Sequence, residues 1–221
     1  MFAEMRNALG IPRGVDILEH VYTLPPTEQH RAMELIRAIE RTAMVSQVAQ
    51  PGLMQLMAYL DSHGIRKGIC TRNFDAPVHN LLAKFLAGSV FRPIVTRDFR
   101  PPKPDPAGIL HIAQSWGLVR QSTGEPGVPV SEEEEAARAP ETGQDAADGL
   151  VPTDTGEEVA DASGLIMVGD SIDDITAGRR AGAKTVLLVN DVNRHLVDHE
   201  HTDLVISRLD ELIDVLDNGL L

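Results

Sequence analysis

The sequence predicts an α/β protein built on a doubly wound, mostly parallel sheet with a small helical cap. From residue 65 onward, short apolar runs alternate with segments of helical periodicity, the pattern of strand–helix–strand units. One of these runs, residues 165–168, is purely apolar, which suits a strand buried on both faces of a parallel sheet. Residues 1–46 carry only helical patterns and therefore predict the cap.

The elements follow from apolar spacing and from chain breakers such as Gly10 and Pro51-Gly52. Three helices are predicted in the first part of the chain, over residues 2–9, 27–46 and 53–62. The predicted order then continues as strand 65–70, helix 75–87, strand 90–95, helix 106–116, strand 165–168, helix 174–182, strand 185–189, strand 203–206 and helix 209–217.

The acidic residues divide the 221-residue chain further. Its formal net charge is −13, and residues 121–163 hold twelve acidic residues against one basic residue, with no Phe, Trp, Tyr or Ile. Such a segment buries too little apolar surface to offset its ordering entropy, so we predict a disordered, solvated insertion rather than a partner-binding tract. The predicted domains are a cap with the N-terminal helix over 1–50, an α/β core over 51–120 and 164–221, and the insertion over 121–163.

Composition excludes several classes of protein. The net negative charge argues against a general nucleic-acid binder, which needs clustered cations. The single cysteine, Cys70, excludes an internal disulfide framework and fits a reducing compartment. No apolar run approaches about 18 residues, and the first residues lack a secretory pattern, so we expect a cytoplasmic protein without a membrane partner.

Polar residues follow the predicted strands, at the sheet edge where open parallel sheets bind ligands. They are Thr71-Arg72-Asn73, Lys103-Pro104-Asp105-Pro106 and Gly169-Asp170-Ser171-Ile172-Asp173-Asp174. The Thr71 hydroxyl, nearby amides and Lys103 suit a phosphoryl group, and Asp170 would need a hard cation such as Mg²⁺ between itself and phosphate. Each residue alone has a plainer explanation as a cap, a turn or a surface charge; the ordered set favours a site.

These motifs, with Ala181-Gly182-Ala183 downstream, resemble the haloacid dehalogenase (HAD) superfamily, whose members are mostly phosphatases. The region from Thr96 to Pro106, together with residues 1–10, is similar to a eukaryotic, notably fungal, group of HAD-like hydrolases. The resemblance covers most of residues 1–118 and 164–217. It implies a Rossmann-like sheet, a small helical cap, Mg²⁺ as cofactor and a small phosphorylated substrate.

The resemblance also implies roles for single residues. Thr71 would hold the transferring phosphoryl oxygen, and Lys103 would neutralise the phosphoryl group and the nucleophile. Arg72 and Asn73 would complete the phosphate-binding set. Asp170 would bind Mg²⁺, and Asp174 would support the metal site, directly, through water or through Lys103.

One departure from the family is large. The Asp-x-Asp-Gly-Thr motif that ends the family's first strand and carries its nucleophile does not occur in this sequence. Neither Asp16 nor Asp61 has the required context. We therefore expect the first strand to be missing, a cleft or exposed edge in the sheet, and an inactive chain. Two explanations stay open: Met1 is an internal methionine of a longer, active hydrolase, or the protein is a degenerate relative that binds phosphate or a metabolite without hydrolysis.

Other site types fit less well. A receiver domain uses similar residues in a different chain order, a dinucleotide-binding domain needs Gly-x-Gly-x-x-Gly, which is absent, and a dehalogenase proper has no use for Mg²⁺. His195, His199 and His201 have no partner cysteine and predict a surface loop rather than a zinc site. Cys70 and Trp116 are predicted core residues.

Overall fold

The computed structural model describes residues 2–121 and 158–219. The helices are α1 Phe2–Leu9, α2 Ile17–Thr23, α3 Pro26–Val45, α4 Leu53–Ser62, α5 Asp75–Phe85, α6 Ala107–Ser115, α7 Ile172–Ala181 and α8 Glu211–Asn218. The strands are β1 Ile69–Cys70, β2 Ile94–Val95, β3 Val119–Gln121, β4 Glu158–Ala160, β5 Ile166–Gly169, β6 Lys184–Leu188 and β7 Leu204–Ile206. A short 3-10 helix covers Arg194–Leu196.

The predicted α/β class and the parallel strand direction are confirmed. β1 pairs with β2 in parallel, and β5, β6 and β7 form a second parallel sheet in that order. Within the described residues the parallel strands therefore form two separate sheets, where the sequence predicted a single one with a gap.

Strand β5 shows how the layers are arranged. Its side chains alternate between two faces, as in any strand. Ile166 and Val168 pack into a cluster with Leu56 of α4 and Leu212 of α8, whereas Met167 packs with α6 and α7 in a different cluster. The sheet is thus covered by α4 and α8 on one face and by α6 and α7 on the other, which is the double winding that the sequence predicted.

The first three helices form their own apolar cluster, built on buried side chains that include Met5, Val21 and Ile36. Phe74, which precedes α5, packs against this cluster and so links it to the α/β core. Helix α2 was not predicted from the sequence because it is short. Asp16 is its N-cap and accepts hydrogen bonds from the N–H groups of Leu18 and Glu19, at 2.8 and 3.0 Å.

The bounds of two predicted strands and of the predicted insertion differ in the structure. Strands β1 and β2 keep only the last two residues of the predicted runs 65–70 and 90–95. At the edges of the predicted insertion, Val119–Gln121 pairs in antiparallel fashion with Glu158–Ala160, so Gln121 and residues 158–160 are part of the fold. The rest of the insertion, residues 122–157, lies outside the described residues, and the domain boundaries stay a prediction. Over residues 2–121 and 158–219, no helix is long and apolar enough to cross a membrane.

Candidate active site

Lys103 lies between the carboxyl ends of β1 and β5, which belong to the two parallel sheets. Its ammonium donates to the backbone carbonyl of Cys70, at the end of β1, with an Nζ to O distance of 2.6 Å. The same ammonium forms an ion pair with Asp174 of α7, the helix that follows β5. Both side chains are largely buried, so one cation joins the two strand ends that the sequence predicted to meet.

Asp174 organises the loop after β5. Its Oδ2 accepts from the backbone N–H groups of Asp170 and Ser171, at 3.2 and 3.1 Å, and from the Ser171 hydroxyl at 2.8 Å. The Ser171 hydroxyl in turn accepts from the Asp174 N–H, which completes a capping box at the start of α7. Asp174 therefore acts here as the support of the loop, with both carboxylate oxygens engaged by protein groups.

The loop can approach Asp174 this closely only because residue 169 is glycine. A Cβ built on Gly169 would lie 2.5 Å from the Asp174 Cγ, far inside van der Waals contact. Any side chain at position 169 would displace the Asp174 carboxylate and, with it, the hydrogen bonds that hold Asp170 in place.

Asp170 directly follows Gly169, the last residue of β5. Its side chain is open to solvent and forms no salt bridge with a described residue. Partial desolvation by the surrounding protein raises the pKa of the Asp170 carboxyl, and the negative charge of Asp174 raises this pKa further. The positive charge of Lys103 acts in the opposite direction. A cation at this carboxylate would relieve both effects.

Asn193 is a buried residue of the site that the sequence analysis missed. Its amide nitrogen donates to the carbonyl oxygens of Asp170 (2.8 Å) and Leu188 (3.0 Å), so it ties the Asp170 loop to the end of β6. Its amide oxygen accepts from the N–H of Asn190 at 2.7 Å. The only sequence signal was an Asn-rich stretch, residues 190–193, directly after a strand.

Thr71 and Asn73 form a turn at the end of β1. The Thr71 hydroxyl accepts from the backbone N–H of Asn73 at 3.1 Å, and the Thr71 N–H donates to Val95 of β2 at 2.8 Å. The hydroxyl proton remains available for an external acceptor, because a hydroxyl both donates and accepts. Thr71 is thus adjacent to the carbonyl that Lys103 binds.

Arg72 joins the helical cluster to the site. Its guanidinium forms ion pairs with Asp16, the N-cap of α2, and with Asp173 in the first turn of α7. Burial alone would raise the pKa of the Asp16 carboxyl, but the Glu19 N–H and the Arg72 charge outweigh it and lower this pKa. The predicted phosphate-binding side chain of Arg72 is therefore engaged by two carboxylates in this structure.

Arg97 is a second missed residue, and it braces the same turn. Its Nε donates to the Arg72 carbonyl oxygen at 2.9 Å, and its guanidinium lies 3.7 Å from the centroid of the Phe74 ring. Its Nη2 reaches Glu40 of α3 at 3.4 Å, while its buried Nη1 has no hydrogen-bond partner in the described part of the chain. Both Arg97 and Glu40 are almost fully buried.

The donor set at this edge fits Mg²⁺ only as an incomplete site. Mg²⁺ binds one or two carboxylates and otherwise keeps waters and phosphate oxygens. Asp170 offers a free carboxylate of this kind, whereas the Asp174 oxygens are occupied by Lys103 and by the loop. No cluster of three or more His, Cys, Asp or Glu side chains that could hold a metal ion occurs in residues 2–121 and 158–219.

His201 and Asp61 form no hydrogen bond or ion pair with Lys103, Asp170 or Asp174 among the described residues. The His201 Nδ1 lies 3.0 Å from the Thr176 hydroxyl, and the His201 ring meets the His199 ring edge to face. Asp61 forms an ion pair with Lys67 and accepts a hydrogen bond from the Ser89 hydroxyl.

The Cys70 thiol does not have the properties of a reactive group. Burial raises the pKa of this thiol, which does not favour the thiolate form.

Comparisons with known proteins show which proteins this chain resembles. A family model described as HAD-hydrolase-like matches residues 136–212. The chain is 37% identical to an uncharacterized hydrolase of Saccharomyces cerevisiae, in an alignment that covers 99% of this chain and 84% of the yeast protein. It is 30% identical to a haloacid dehalogenase-like hydrolase domain-containing protein of Arabidopsis thaliana, over 80% of this chain and 55% of that protein. The chain thus spans about half the length of the Arabidopsis protein.

Solved structures show the same fold. A hydrolase from Pseudomonas syringae superposes with a TM-score of 0.62 at 20% identity, covering 97% of this chain and 88% of that one. A β-phosphoglucomutase from Clostridium difficile superposes with a TM-score of 0.61 at 14% identity, covering 98% of this chain and 80% of that one. At these identities the similarity concerns the fold alone.

Proposed function

The chain belongs to the HAD superfamily of hydrolases, and on this premise we propose that the complete protein hydrolyses small phosphate monoesters with Mg²⁺ as cofactor. The observation that supports this most directly is the position of Lys103 between the ends of β1 and β5, beside Thr71 and the loop of Asp170. Donors and a cation at this edge suit the oxygens of a transferring phosphoryl group. We also propose that the protein is cytoplasmic, since its single cysteine suits a reducing compartment.

The phosphoryl-binding roles fall to four residues. Two of the three Lys103 N–H groups are directed to Cys70 and Asp174, which leaves the third for a phosphoryl oxygen. The Thr71 hydroxyl supplies a second donor, and the turn of Arg72 and Asn73 supplies further donors next to it. Thr71 and Lys103 are the proposed catalytic residues in this chain.

Asp170 is the proposed protein ligand of Mg²⁺, and Asp174 positions it through the loop. When bound, the ion would offset the repulsion between the carboxylate and the phosphate and stabilise the charge that develops on the phosphoryl oxygens. Asp174 accepts from the backbone N–H of Asp170 and Asn193 donates to its backbone carbonyl, so the main chain that carries this carboxylate is fixed on both sides.

The nucleophile is not assigned to any of the 221 residues, because no Asp-x-Asp-Gly-Thr motif occurs among them. We therefore propose that the chain as printed does not turn over phosphate esters. The motif's absence also favours one alternative function, a non-catalytic HAD-like protein that binds phosphate or a phosphorylated metabolite at Thr71, Lys103 and Asp170.

A p-nitrophenyl phosphate assay with Mg²⁺ tests both functions. The 221-residue chain should show no turnover, and the product of the full reading frame, with any upstream Asp-x-Asp-Gly-Thr segment, should show turnover that Asp170→Asn abolishes. Turnover by the printed chain that depends on Asp170 would contradict the proposal. Mg²⁺-dependent phosphate binding without turnover, even for the full reading frame, would establish the alternative.

A further inference from the structure

Strand β1 has an unpaired edge on the side away from β2. The Ile69 N–H donates to Pro93, the residue before β2, and the Thr71 N–H donates to Val95 of β2. The Lys67 carbonyl accepts from the N–H of Arg92. Because the backbone groups of successive strand residues point to alternate sides, the N–H and C=O groups of Gly68 and Cys70 point away from β2. Among the described residues, β2 is the only strand that pairs with β1.

Strand β5 has a matching unpaired edge. The Leu165 carbonyl accepts from the Lys184 N–H of β6, so the odd-numbered residues of β5 face β6. The backbone groups of Ile166 and Val168 therefore point to the opposite side, where no described strand pairs with them.

An apolar slot lies between these two edges. We call it the inter-sheet slot: its edges are residues 65–68 on one side and 164–168 on the other, and its volume is about 520 Å³. Leu56 and Met57 of α4 and Leu212 of α8 line one face, and Ile109 of α6 lines the other. Two strand edges and two helical faces are the surroundings of a central strand in a three-layer α/β protein.

The direction of such a strand is fixed by its neighbours. Both sheets are parallel, and Lys103 contacts Cys70 at the carboxyl end of β1 and Asp174 just beyond the carboxyl end of β5. A strand in the slot would therefore run parallel to both. Residues 165–168 line the slot, about 13 Å at ~3.3 Å per residue, which suits an insert of about four to six residues.

We propose that the inter-sheet slot accepts an extended apolar polypeptide segment as an inserted parallel strand, and that a separate peptide can occupy it. Its side chains must be apolar on both faces because both faces of the slot are helical and apolar. The proposed occupant is a separate peptide of this chemistry, since residues 122–157 contain no run of five apolar residues. The inference rests on the slot and does not depend on the proposed hydrolysis.

The test uses the 221-residue chain and a fluorescent peptide of two lysines followed by five valine and isoleucine residues. We expect saturable binding and, by NMR, at least about tenfold slower amide exchange at Ile166 and Val168, whose N–H groups face the slot. A peptide N-methylated at alternate residues cannot form both ladders and should not bind. Equal binding of the two peptides, with no protection of these amides, would mean simple filling of an apolar cavity and would overturn the proposal.

Two matched variants on α4 locate the binding site. Met57 lines the slot, and Met54 lies on the same helix, outside the slot and 54% exposed. Met57→Lys should weaken binding at least about tenfold, because an ammonium in the slot must be desolvated, while Met54→Lys should leave the Kd within about twofold. Equal effects of both variants refute the assignment. A peptide-free dimer with protected slot amides would overturn it in favour of a second copy of the chain.

Discussion

The ammonium of Lys103 and the carboxylate of Asp174 form a buried ion pair that joins the two parallel sheets. Their side chains are only 8% and 11% exposed; Lys103 lies in the connection after β2, and Asp174 lies in the first turn of α7, which follows β5 of the other sheet. A buried pair is costly to break because the remaining charge stays desolvated without a partner. The candidate site therefore depends on the same contact that connects the sheets.

Replacing Lys103 by methionine tests this dependence. We expect Lys103→Met to lower the free energy of unfolding by about 3–5 kcal/mol, measured by urea denaturation, because it leaves the Asp174 carboxylate uncompensated. The control is Arg37→Met, which removes an exposed, solvent-screened pair with Glu34 and should cost far less. Similar losses for both variants would show that the Lys103 pair is not buried in solution.

The close approach of Gly169 to Asp174 gives a second prediction. Gly169→Ala forces the Asp174 carboxylate to move and should lower the free energy of unfolding by about 1–3 kcal/mol. Gly164→Ala is the matched control, since its Cβ meets nothing within 4 Å and should be neutral or stabilising by up to about 1 kcal/mol. Thermal melts of both variants would decide, and an unchanged melt for Gly169→Ala would contradict the geometry.

Asn193 should contribute to stability through the Asp170 loop. Asn193→Ala removes the two hydrogen bonds that the Asn193 side chain donates to the carbonyl oxygens of Asp170 and Leu188. Losing this donor should lower the free energy of unfolding by about 1–3 kcal/mol. Asn218→Ala removes a single exposed bond to the Asp214 carbonyl and should have a smaller effect. Faster amide exchange at Asp170 in Asn193→Ala, absent in Asn218→Ala, would tie the loss to the loop. Identical exchange in both would count against the assignment.

The two arginines beside the helical cluster should differ in energetic weight. Arg97→Met leaves the buried Glu40 carboxylate without its cationic partner. Burial already raises the pKa of Glu40, so we expect the free energy of unfolding to fall by about 3 kcal/mol or more. The Arg72 pairs are about one-third exposed and thus screened, so Arg72→Met should cost about 1 kcal/mol or less. Guanidinium chloride unfolding of both variants measures the order, and the reverse order would refute the burial argument.

Asp203 gives a prediction for the dependence of stability on pH. Burial alone would raise the pKa of its carboxyl, but hydrogen bonds from Thr185 and the Arg179 guanidinium outweigh it and lower this pKa. A lowered pKa stabilises the folded state above the unfolded pKa of about 4, and this contribution disappears as the pH falls through the folded pKa. The stability difference between the parent and Asp203→Asn should therefore be largest above about pH 5 and shrink below about pH 4.

The exposed Asp198→Asn serves as the control for this measurement. Asp198 forms no side-chain hydrogen bond or ion pair with a described residue, so Asp198→Asn should change the free energy of unfolding less than Asp203→Asn does above about pH 5. A flat difference for Asp203→Asn would show that its hydrogen bonds do not favour the charged form.

Much of this fold was predictable because its elements are local. The helix predicted over 53–62 has the observed bounds, since a Pro-Gly break and apolar spacing define it. The motif after β5 was recognisable because Asp170, Asp173 and Asp174 directly follow a purely apolar run. The convergence of residues at Lys103 followed from the rule that parallel strands share a carboxyl edge.

What the sequence did not reveal depends on contacts between distant residues. Arg97 and Glu40 are 57 positions apart, and nothing around either residue predicts that they meet in the interior. The engagement of Arg72 by Asp16 likewise required knowledge of where the helical cluster packs. Strands β1 and β2 were predicted too long because apolar runs do not reveal where pairing stops.

The strand pair β3–β4 has a consequence for how the chain holds together. Residues 2–121 end with β3, and residues 158–219 begin with β4. Side chains of these two stretches pack together: Ile109 lies in one apolar cluster with Ala177, and Leu56 lies in another with Val186. Cleavage anywhere between residues 122 and 157 would therefore yield two fragments that share one interior. Such fragments should co-purify after proteolysis and separate only on denaturation.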